Sequence, residues 1–155
     1  NKKELSEHQY VIKDLIKKLK KFSNDIILSK KPNILELEHL YHLDTPIKGT
    51  LKSNYHILDL LYHLYPTPAV LGTPQNEALD IITNNEPFDR GWYSGCVGWF
   101  DIQGDGRFDV SIRSALQKND KLYFYAGSGL INNADEEYEW EETETKFQHL
   151  LSLIN

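Results

Sequence analysis

Two glutamates and a lysine near the end of the chain have the spacing of one helix face. Glu139, Glu142 and Lys146 follow one another at intervals of three and four residues, which brings their side chains to the same side of a helix. Two carboxylates one turn apart, with a lysine one turn further on, can hold a hard cation and an anionic ligand together. The alternative is a solvated helix start, because residues 135–144 are acidic throughout and acidic residues favour a helix amino terminus.

A second carboxylate pair lies at the beginning of the chain, where Glu4 and Glu7 are also three residues apart. Alone this pair is a weaker signal, since surface helices carry many such pairs. Magnesium is usually held by a few carboxylates together with waters and substrate oxygens. Two glutamate-bearing helices that face one cleft would therefore be enough to bind it.

Two further segments could bind a carboxylate. Arg113 follows Asp109 and Ser111 at intervals of two, so the alternation predicts it on the polar face of a strand. There it is either a surface residue or a bidentate clamp for a carboxylate. Residues 125–130, Tyr-Ala-Gly-Ser-Gly-Leu, end a predicted strand in two glycines, which either let backbone amides approach a ligand or simply make a turn.

The elements that must position these residues follow from the apolar spacing. Helices are predicted over residues 5–19, 55–64, 73–82 and 135–154, the third with Thr73 as its cap and Pro74 at its first position. Strands are predicted over residues 34–43, 92–100, 107–116 and 121–126, the last three as one antiparallel meander. The apolar stripe expected to face the core from the last helix consists of Trp140, Phe147, Leu151 and Ile154.

Composition excludes several classes of protein. Of the 155 residues, 40% are hydrophobic and 26% charged, as in a globular domain, and the net charge of −6 argues against a nucleic-acid partner. No apolar run is long enough for a membrane helix. The single cysteine fits a reducing cytoplasm, which is the expected location. Methionine is absent even at position 1, so we expect the chain to begin inside a longer one.

Seven segments, in this order along almost the whole chain, resemble the carboxyl-terminal region of the chorismate-utilising enzymes. They are Glu7-His8; Tyr-His-Leu-Asp-Thr-Pro at 41–46 with Gly49; Tyr-Pro-Thr-Pro-Ala-Val-Leu-Gly-Thr-Pro at 65–74; Glu-Pro-Phe-Asp-Arg-Gly-Trp-Tyr-Ser-Gly at 86–95 with Val-Gly-Trp at 97–99; Ser-Ile-Arg-Ser at 111–114; Ala-Gly-Ser-Gly at 126–129; and Glu-Trp-Glu-Glu-Thr at 139–143 with Lys146. Within that family, Pro-Thr-Pro-Ala and Phe-Asp-Arg-Gly are similar to isochorismate synthases. Ala69 stands where salicylate-forming relatives tend to have threonine, which also favours simple isomerisation.

The resemblance implies an α+β fold, the carboxyl-terminal half of the fold of anthranilate synthase component I, with an antiparallel sheet and flanking helices. Residues 1–155 are expected to form a single unit of a chorismate-binding domain. The implied activity is the magnesium-dependent conversion of chorismate to isochorismate, for menaquinone or for a siderophore. Carried over by position, the family's magnesium ligands are Glu7 and Glu142, with Glu4 and Glu139 as supporting or alternative ligands, and its substrate contacts are His42, Ala69, Tyr93, Arg113, Gly129 and Lys146.

The resemblance also implies that part of the enzyme lies elsewhere. In this family a lysine activates the attacking water and a glutamate protonates the departing hydroxyl, and both precede the region that matches Asn1. No catalytic acid or base is therefore expected within these 155 residues, and the chain by itself is expected to be inactive without the amino-terminal half. Two alternatives stay open: a salicylate synthase, which would also release pyruvate, and a ligand-binding module of the same fold without catalysis.

Overall fold

The computed structural model describes residues 2–37, 40–152 and 154. Runs of short strands are separated by helices along them, as the α+β class predicts. In chain order the elements are α1 (Lys2–Leu19), β1 (Ile27–Leu28), β2 (Asn33–Leu37), β3 (Leu40–Asp44), β4 (Ile47–Lys48), α2 (Ile57–Leu64), α3 (Gln75–Asn85), β5 (Cys96–Phe100), β6 (Gly106–Val110), β7 (Ser114–Lys118), β8 (Lys121–Tyr125) and α4 (Glu136–Ser152). Over the described ranges, no helix is both long and apolar enough to cross a membrane.

The strands form four pairs. The pairs β1–β4, β2–β3 and β7–β8 are antiparallel, and β5 pairs with β6. The chain consists of two compact units, one made of Asn1–Ala69 with Phe100–Asp105 and the other of Val70–Trp99 with Gly106–Asn155. They are called the first unit and the second unit below.

The core of the first unit forms around Phe22, which is 1% exposed. Its ring lies 4.8 Å from the ring of Tyr55 and 4.9 Å from that of His63, both edge to face. The chain passes close to Ser23 at Gly49, where an added Cβ would lie 2.7 Å from the serine hydroxyl oxygen. Glycine is needed there because no side chain fits.

The prediction of one strand over residues 34–43 is wrong, because this segment forms the two strands β2 and β3. The register pairs Leu37 with Leu40 and Asn33 with Asp44, so the chain reverses between the strands. The sequence hides this reversal, since neither Leu37 nor Leu40 is followed or preceded by a glycine, proline or asparagine.

The predicted strand over residues 107–116 is also interrupted. It divides into β6 and β7, and Arg113 between them has a φ of +47°, in the left-handed region. A residue in that conformation breaks the alternation of strand faces, so the expected shared face of Asp109, Ser111 and Arg113 does not form. The three-stranded meander is likewise replaced by the separate pairs β5–β6 and β7–β8.

Three predicted boundaries shift for local reasons. Helix α2 begins after His56, whose side chain accepts a hydrogen bond from the Leu58 amide, while Asp59 accepts one from the His56 amide. Pro74 is the cap of α3, and no side-chain hydrogen bond caps that helix. Residues 92–95, expected as strand, form turns before β5.

Candidate functional site

The acidic face of α4, and not its predicted apolar stripe, is the buried side of that helix. Glu139 is 6% exposed and Leu150 is 5% exposed, whereas Trp140 is 68% exposed. Trp140 and Ile154 therefore do not belong to the core, and the stripe prediction is wrong for them. The carboxylate of Glu139 is largely removed from water. Burying a charge costs free energy, and nearby positive or polar groups have to offset this cost.

Lys146 connects the acidic face of α4 to the glycine segment after β8. Its ammonium group donates a hydrogen bond of 2.6 Å to Oε1 of Glu142 and one of 2.9 Å to the carbonyl oxygen of Gly127. Both side chains are partly buried. The sequence-predicted neighbours Glu142 and Lys146 are therefore in direct contact, and the lysine places a positive charge beside residues 126–129.

Tyr93 lies on the other side of the same glycine segment. Its ring stacks on that of Tyr125 with centroids 5.3 Å apart and an angle of 17° between the planes. A Cβ added to Gly127 would lie 2.9 Å from the Tyr93 hydroxyl oxygen. Burial raises the pKa of the Tyr93 hydroxyl above its ordinary value, so the group is a neutral hydrogen-bond donor at neutral pH.

The turn that carries Tyr93 is joined to the segment that carries Arg113. The amide of Ser94 donates to the carbonyl of Ser111 at 2.8 Å, and the amide of Ser111 donates to the carbonyl of Gly95 at 2.9 Å. Arg113, two residues further on, is partly buried. Gly129, predicted to contact the substrate through its backbone, lies in the segment after β8, two residues beyond Gly127.

Arg90 belongs to the resembling segment of residues 86–95, but the sequence predicts no role for it. Its guanidinium binds both carboxylate oxygens of Glu86 and lies 5.7 Å from the centre of the Tyr93 ring. Hydrogen bonding to Glu86 raises the pKa of Arg90 further, so it stays charged. In the sequence Arg90 is marked by the Phe-Asp-Arg-Gly motif and by its spacing of four residues from Glu86, which is common on protein surfaces. Neither feature predicts the contacts with Val70 and Ser94.

The remaining predicted site residues lie in the first unit. Glu7, on α1, is 3.6 Å from the ammonium of Lys3, and Glu4 is exposed on the same helix. His42 is a partly buried residue of β3, and Ala69 is exposed. A hydrogen bond of 2.7 Å between His8 Nε2 and Thr45 Oγ1 fixes α1 against the end of β3, so two of the resembling segments do meet.

The carboxylates of α4 suit a hard divalent cation by their chemistry. Glu139 and Glu142 offer charged oxygens one helical turn apart, and that of Glu139 is shielded from water. Among the described residues, no group of three or more histidine, cysteine, aspartate or glutamate side chains is close enough to hold a metal. The assignment of Glu4 and Glu7 to magnesium stays a prediction.

The family model described as "Chorismate binding enzyme" matches residues 1–155. The chain belongs to this family. Among the relatives of this chain is the salicylate biosynthesis isochorismate synthase of Pseudomonas aeruginosa, 40% identical over 153 residues, which are 99% of this chain and 32% of the relative. The chain thus spans about a third of that relative's length.

Solved structures agree with the assigned fold. MenF, the menaquinone-specific isochorismate synthase of Escherichia coli, superimposes with a TM-score of 0.88 at 32% identity, over 100% of this chain and 36% of MenF. Anthranilate synthase component I of Streptococcus pneumoniae gives a TM-score of 0.88 at 26% identity, over 97% of this chain and 35% of that structure. The predicted family and fold class are confirmed.

Proposed function

We propose that this chorismate-binding chain is the carboxyl-terminal part of an isochorismate synthase, an isomerase that converts chorismate to isochorismate. The observation that carries the proposal is the position of Lys146, whose ammonium is held between Glu142 and the glycine segment by hydrogen bonds of 2.6 and 2.9 Å. The similarity to named isochorismate synthases over 99% of the chain supports the choice of reaction.

Chorismate carries two carboxylates, and the second unit offers groups of the right kind to bind them. Lys146 supplies a fixed positive charge, Tyr93 a neutral hydroxyl donor, and Arg113 a guanidinium that can bind a carboxylate through two parallel hydrogen bonds. The backbone at Gly129 would add an amide donor from a residue that has no side chain of its own. In the proposed enzyme these four groups hold the substrate in one orientation, which lowers the entropic part of the barrier.

Glu142 would hold magnesium in this enzyme, with Glu139 as the supporting or alternative ligand one helical turn away on α4. Bound there, magnesium neutralises the charge of a substrate carboxylate and fixes its orientation. Lys146 keeps the charge near Glu142 balanced, since its ammonium is in contact with that carboxylate. The carboxylates of Glu139 and Glu142 would otherwise repel a dianionic substrate.

The reaction exchanges one hydroxyl for another. Water adds to one ring carbon, its proton goes to a base, and the hydroxyl on a second ring carbon leaves after receiving a proton from an acid, so the product is an isomer of the substrate. This chain's proposed share of the work is to bind and orient chorismate. The lysine base and the glutamate acid are proposed to come from the amino-terminal half of the whole enzyme.

The proposal is tested by assaying two purified proteins. The whole enzyme, which carries this chain and the amino-terminal half, should convert chorismate to isochorismate in the presence of magnesium without releasing pyruvate. Residues 1–155 alone should give no detectable isochorismate, because an acid and a base each contribute about 10²- to 10⁴-fold to such a reaction. Pyruvate release by the whole enzyme would favour a salicylate synthase, and chorismate binding without turnover would favour a ligand-binding module.

A further inference from the structure

The guanidinium of Arg90 is almost fully occupied by contacts within the second unit. Nε and Nη2 donate to the two carboxylate oxygens of Glu86 at 2.7 and 2.5 Å. Nη1 donates to the carbonyl of Val70 at 2.7 Å and to the hydroxyl of Ser94 at 3.3 Å. An arginine has five N–H donors, so these four bonds leave one for anything else. Arg90 is thus bound to the protein on three sides and is poorly suited to clamp a substrate carboxylate.

Arg90 also contacts the turn that carries Tyr93. The amide of Tyr93 donates to the Arg90 carbonyl at 2.8 Å, which closes the turn, and the guanidinium carbon lies 5.7 Å from the centre of the tyrosine ring. Ser94, the next residue, has a φ of +66°. A left-handed conformation in a residue other than glycine costs free energy and persists only where its surroundings hold it. Two hydrogen bonds hold Ser94 in this conformation. The guanidinium of Arg90 donates one to the Ser94 hydroxyl, and the Ser94 amide donates the other to the Ser111 carbonyl.

We infer that Arg90 is a positioning residue that fixes the turn of residues 90–95, so that the Tyr93 ring stays on Tyr125 with its hydroxyl beside Gly127. The inference rests on the proposed function, in which Tyr93 contacts a carboxylate of chorismate. A lysine could not do the same work. Its ammonium is a single point charge, and it cannot bind both oxygens of Glu86 while also reaching Val70 and Ser94.

A purely structural ion pair would behave differently from a positioning residue. Loss of a structural pair lowers stability and leaves the affinity of the folded protein for chorismate unchanged. Loss of a positioning residue lets Tyr93 leave the stack on Tyr125, and the affinity then falls even in fully folded protein. The experiment therefore has to measure the position of the Tyr93 ring and the affinity for chorismate separately.

The test compares Arg90→Lys with Arg107→Lys in the whole enzyme. Arg107 is a matched control, because its guanidinium also binds both carboxylate oxygens of an acidic residue, Asp109, at 3.0 and 3.2 Å, while its side chain is exposed. The dissociation constant for chorismate is measured by calorimetric titration. Tyr93 is followed by fluorine NMR in protein labelled with 3-fluorotyrosine, its resonance being the one missing in Tyr93→Phe.

We expect Arg90→Lys to weaken chorismate binding about tenfold, the size of one lost hydrogen bond to a charged group, and to shift the Tyr93 resonance. Arg107→Lys should change neither. In a Tyr93→Phe background, Arg90→Lys should weaken binding much less, because the hydroxyl that it positions is already gone. If Arg90→Lys does not fold, Glu86→Gln replaces it in the test. This substitution keeps the size of the side chain that binds Arg90 but removes its charge, and it should weaken chorismate binding and shift the Tyr93 resonance less than Arg90→Lys would.

An unchanged affinity or an unchanged Tyr93 resonance in the folded Arg90→Lys or Glu86→Gln protein would overturn the inference. An equal loss of affinity with and without the Tyr93 hydroxyl would overturn it as well. None of these readouts needs turnover. A whole enzyme that binds chorismate but forms no isochorismate would refute the proposed reaction, while the affinity and the resonance would still decide the role of Arg90.

Discussion

The hydroxyl of Tyr93 fills the space that a side chain at Gly127 would need, since a Cβ there would lie 2.9 Å from the hydroxyl oxygen. The turn that carries Tyr93 and the glycine segment after β8 are thus in close contact, although Tyr93 and Gly127 are 34 residues apart. The tyrosine can lie there because position 127 has no side chain, and the carbonyl of the same glycine accepts a hydrogen bond from Lys146. Tyr93 and Lys146, two of the predicted substrate contacts, are therefore arranged around one peptide.

Replacing Gly127 by alanine should displace the Tyr93 hydroxyl. We expect about a tenfold rise in KM for chorismate in the whole enzyme, from one lost hydrogen bond to a charged group, and a stability loss of about 1 kcal/mol from overpacking. The stability loss should disappear when Tyr93→Phe is added, because the phenylalanine leaves room for the new methyl group. Thermal denaturation of the wild type, the two single variants and the double variant measures these stability differences. An equal stability loss in both backgrounds would show that the two residues are not coupled.

Glu142→Gln should remove one proposed magnesium ligand and keep the shape of the side chain. We expect the apparent magnesium affinity of the whole enzyme to fall at least about tenfold, as mutations around metal sites commonly do. Glu144→Gln is the matched control, because it makes the same change of charge two residues away on an exposed position of the same helix. Activity measured against magnesium concentration compares them. If the two variants respond alike, the carboxylates of α4 are only an acidic helix start.

Lys146→Met should weaken chorismate binding without unfolding the protein. The substitution keeps the length of the side chain but removes the charge and both hydrogen bonds, to Glu142 and to Gly127. A hydrogen bond to a charged group contributes about 1.5–3 kcal/mol, so KM should rise about tenfold or more. Lys121→Met, at an exposed position of β8, serves as the control. Equal KM values in the two variants would exclude Lys146 from the binding site.

Asp25 should make the stability of the first unit depend on pH under acidic conditions. Hydrogen bonds from the hydroxyl and amide of Thr50 and from the hydroxyl of Ser23 lower the pKa of Asp25 from 3.8 to about 2. A carboxyl group with a lowered pKa in the folded state stabilises it above the unfolded pKa, and this stabilisation is lost as the pH falls towards the folded pKa. Asp25→Asn should therefore have a lower Tm than the wild type at pH 6.

The difference in Tm between these two proteins should narrow below about pH 4 and vanish only below about pH 2, where the wild-type carboxyl is protonated in the folded state as well. Differential scanning calorimetry at intervals of one pH unit follows this. A difference that stays constant from pH 6 to pH 2 would mean that Asp25 acts through its shape alone and not through its charge.

The sequence by itself determined the family, the order of the four helices and the contact between Glu142 and Lys146. These are consequences of local spacing: residues four apart on a helix meet whatever the rest of the chain does. The same holds for the last helix, predicted over residues 135–154 and found over Glu136–Ser152. The predicted roles of Glu7, His42 and the other site residues came from the resemblance and stay predictions.

Only the tertiary structure decided which face of α4 is buried and where the strands break. Apolar spacing favoured the stripe with Trp140, but burial depends on what the helix packs against, and the side that carries Glu139 is the one covered. The break at Arg113 depends on the hydrogen bonds between Ser111 and residues 94–95, which are distant in sequence. The contact of Arg90 with Val70 could not be predicted for the same reason, because the two residues are twenty positions apart and no local spacing encodes their contact.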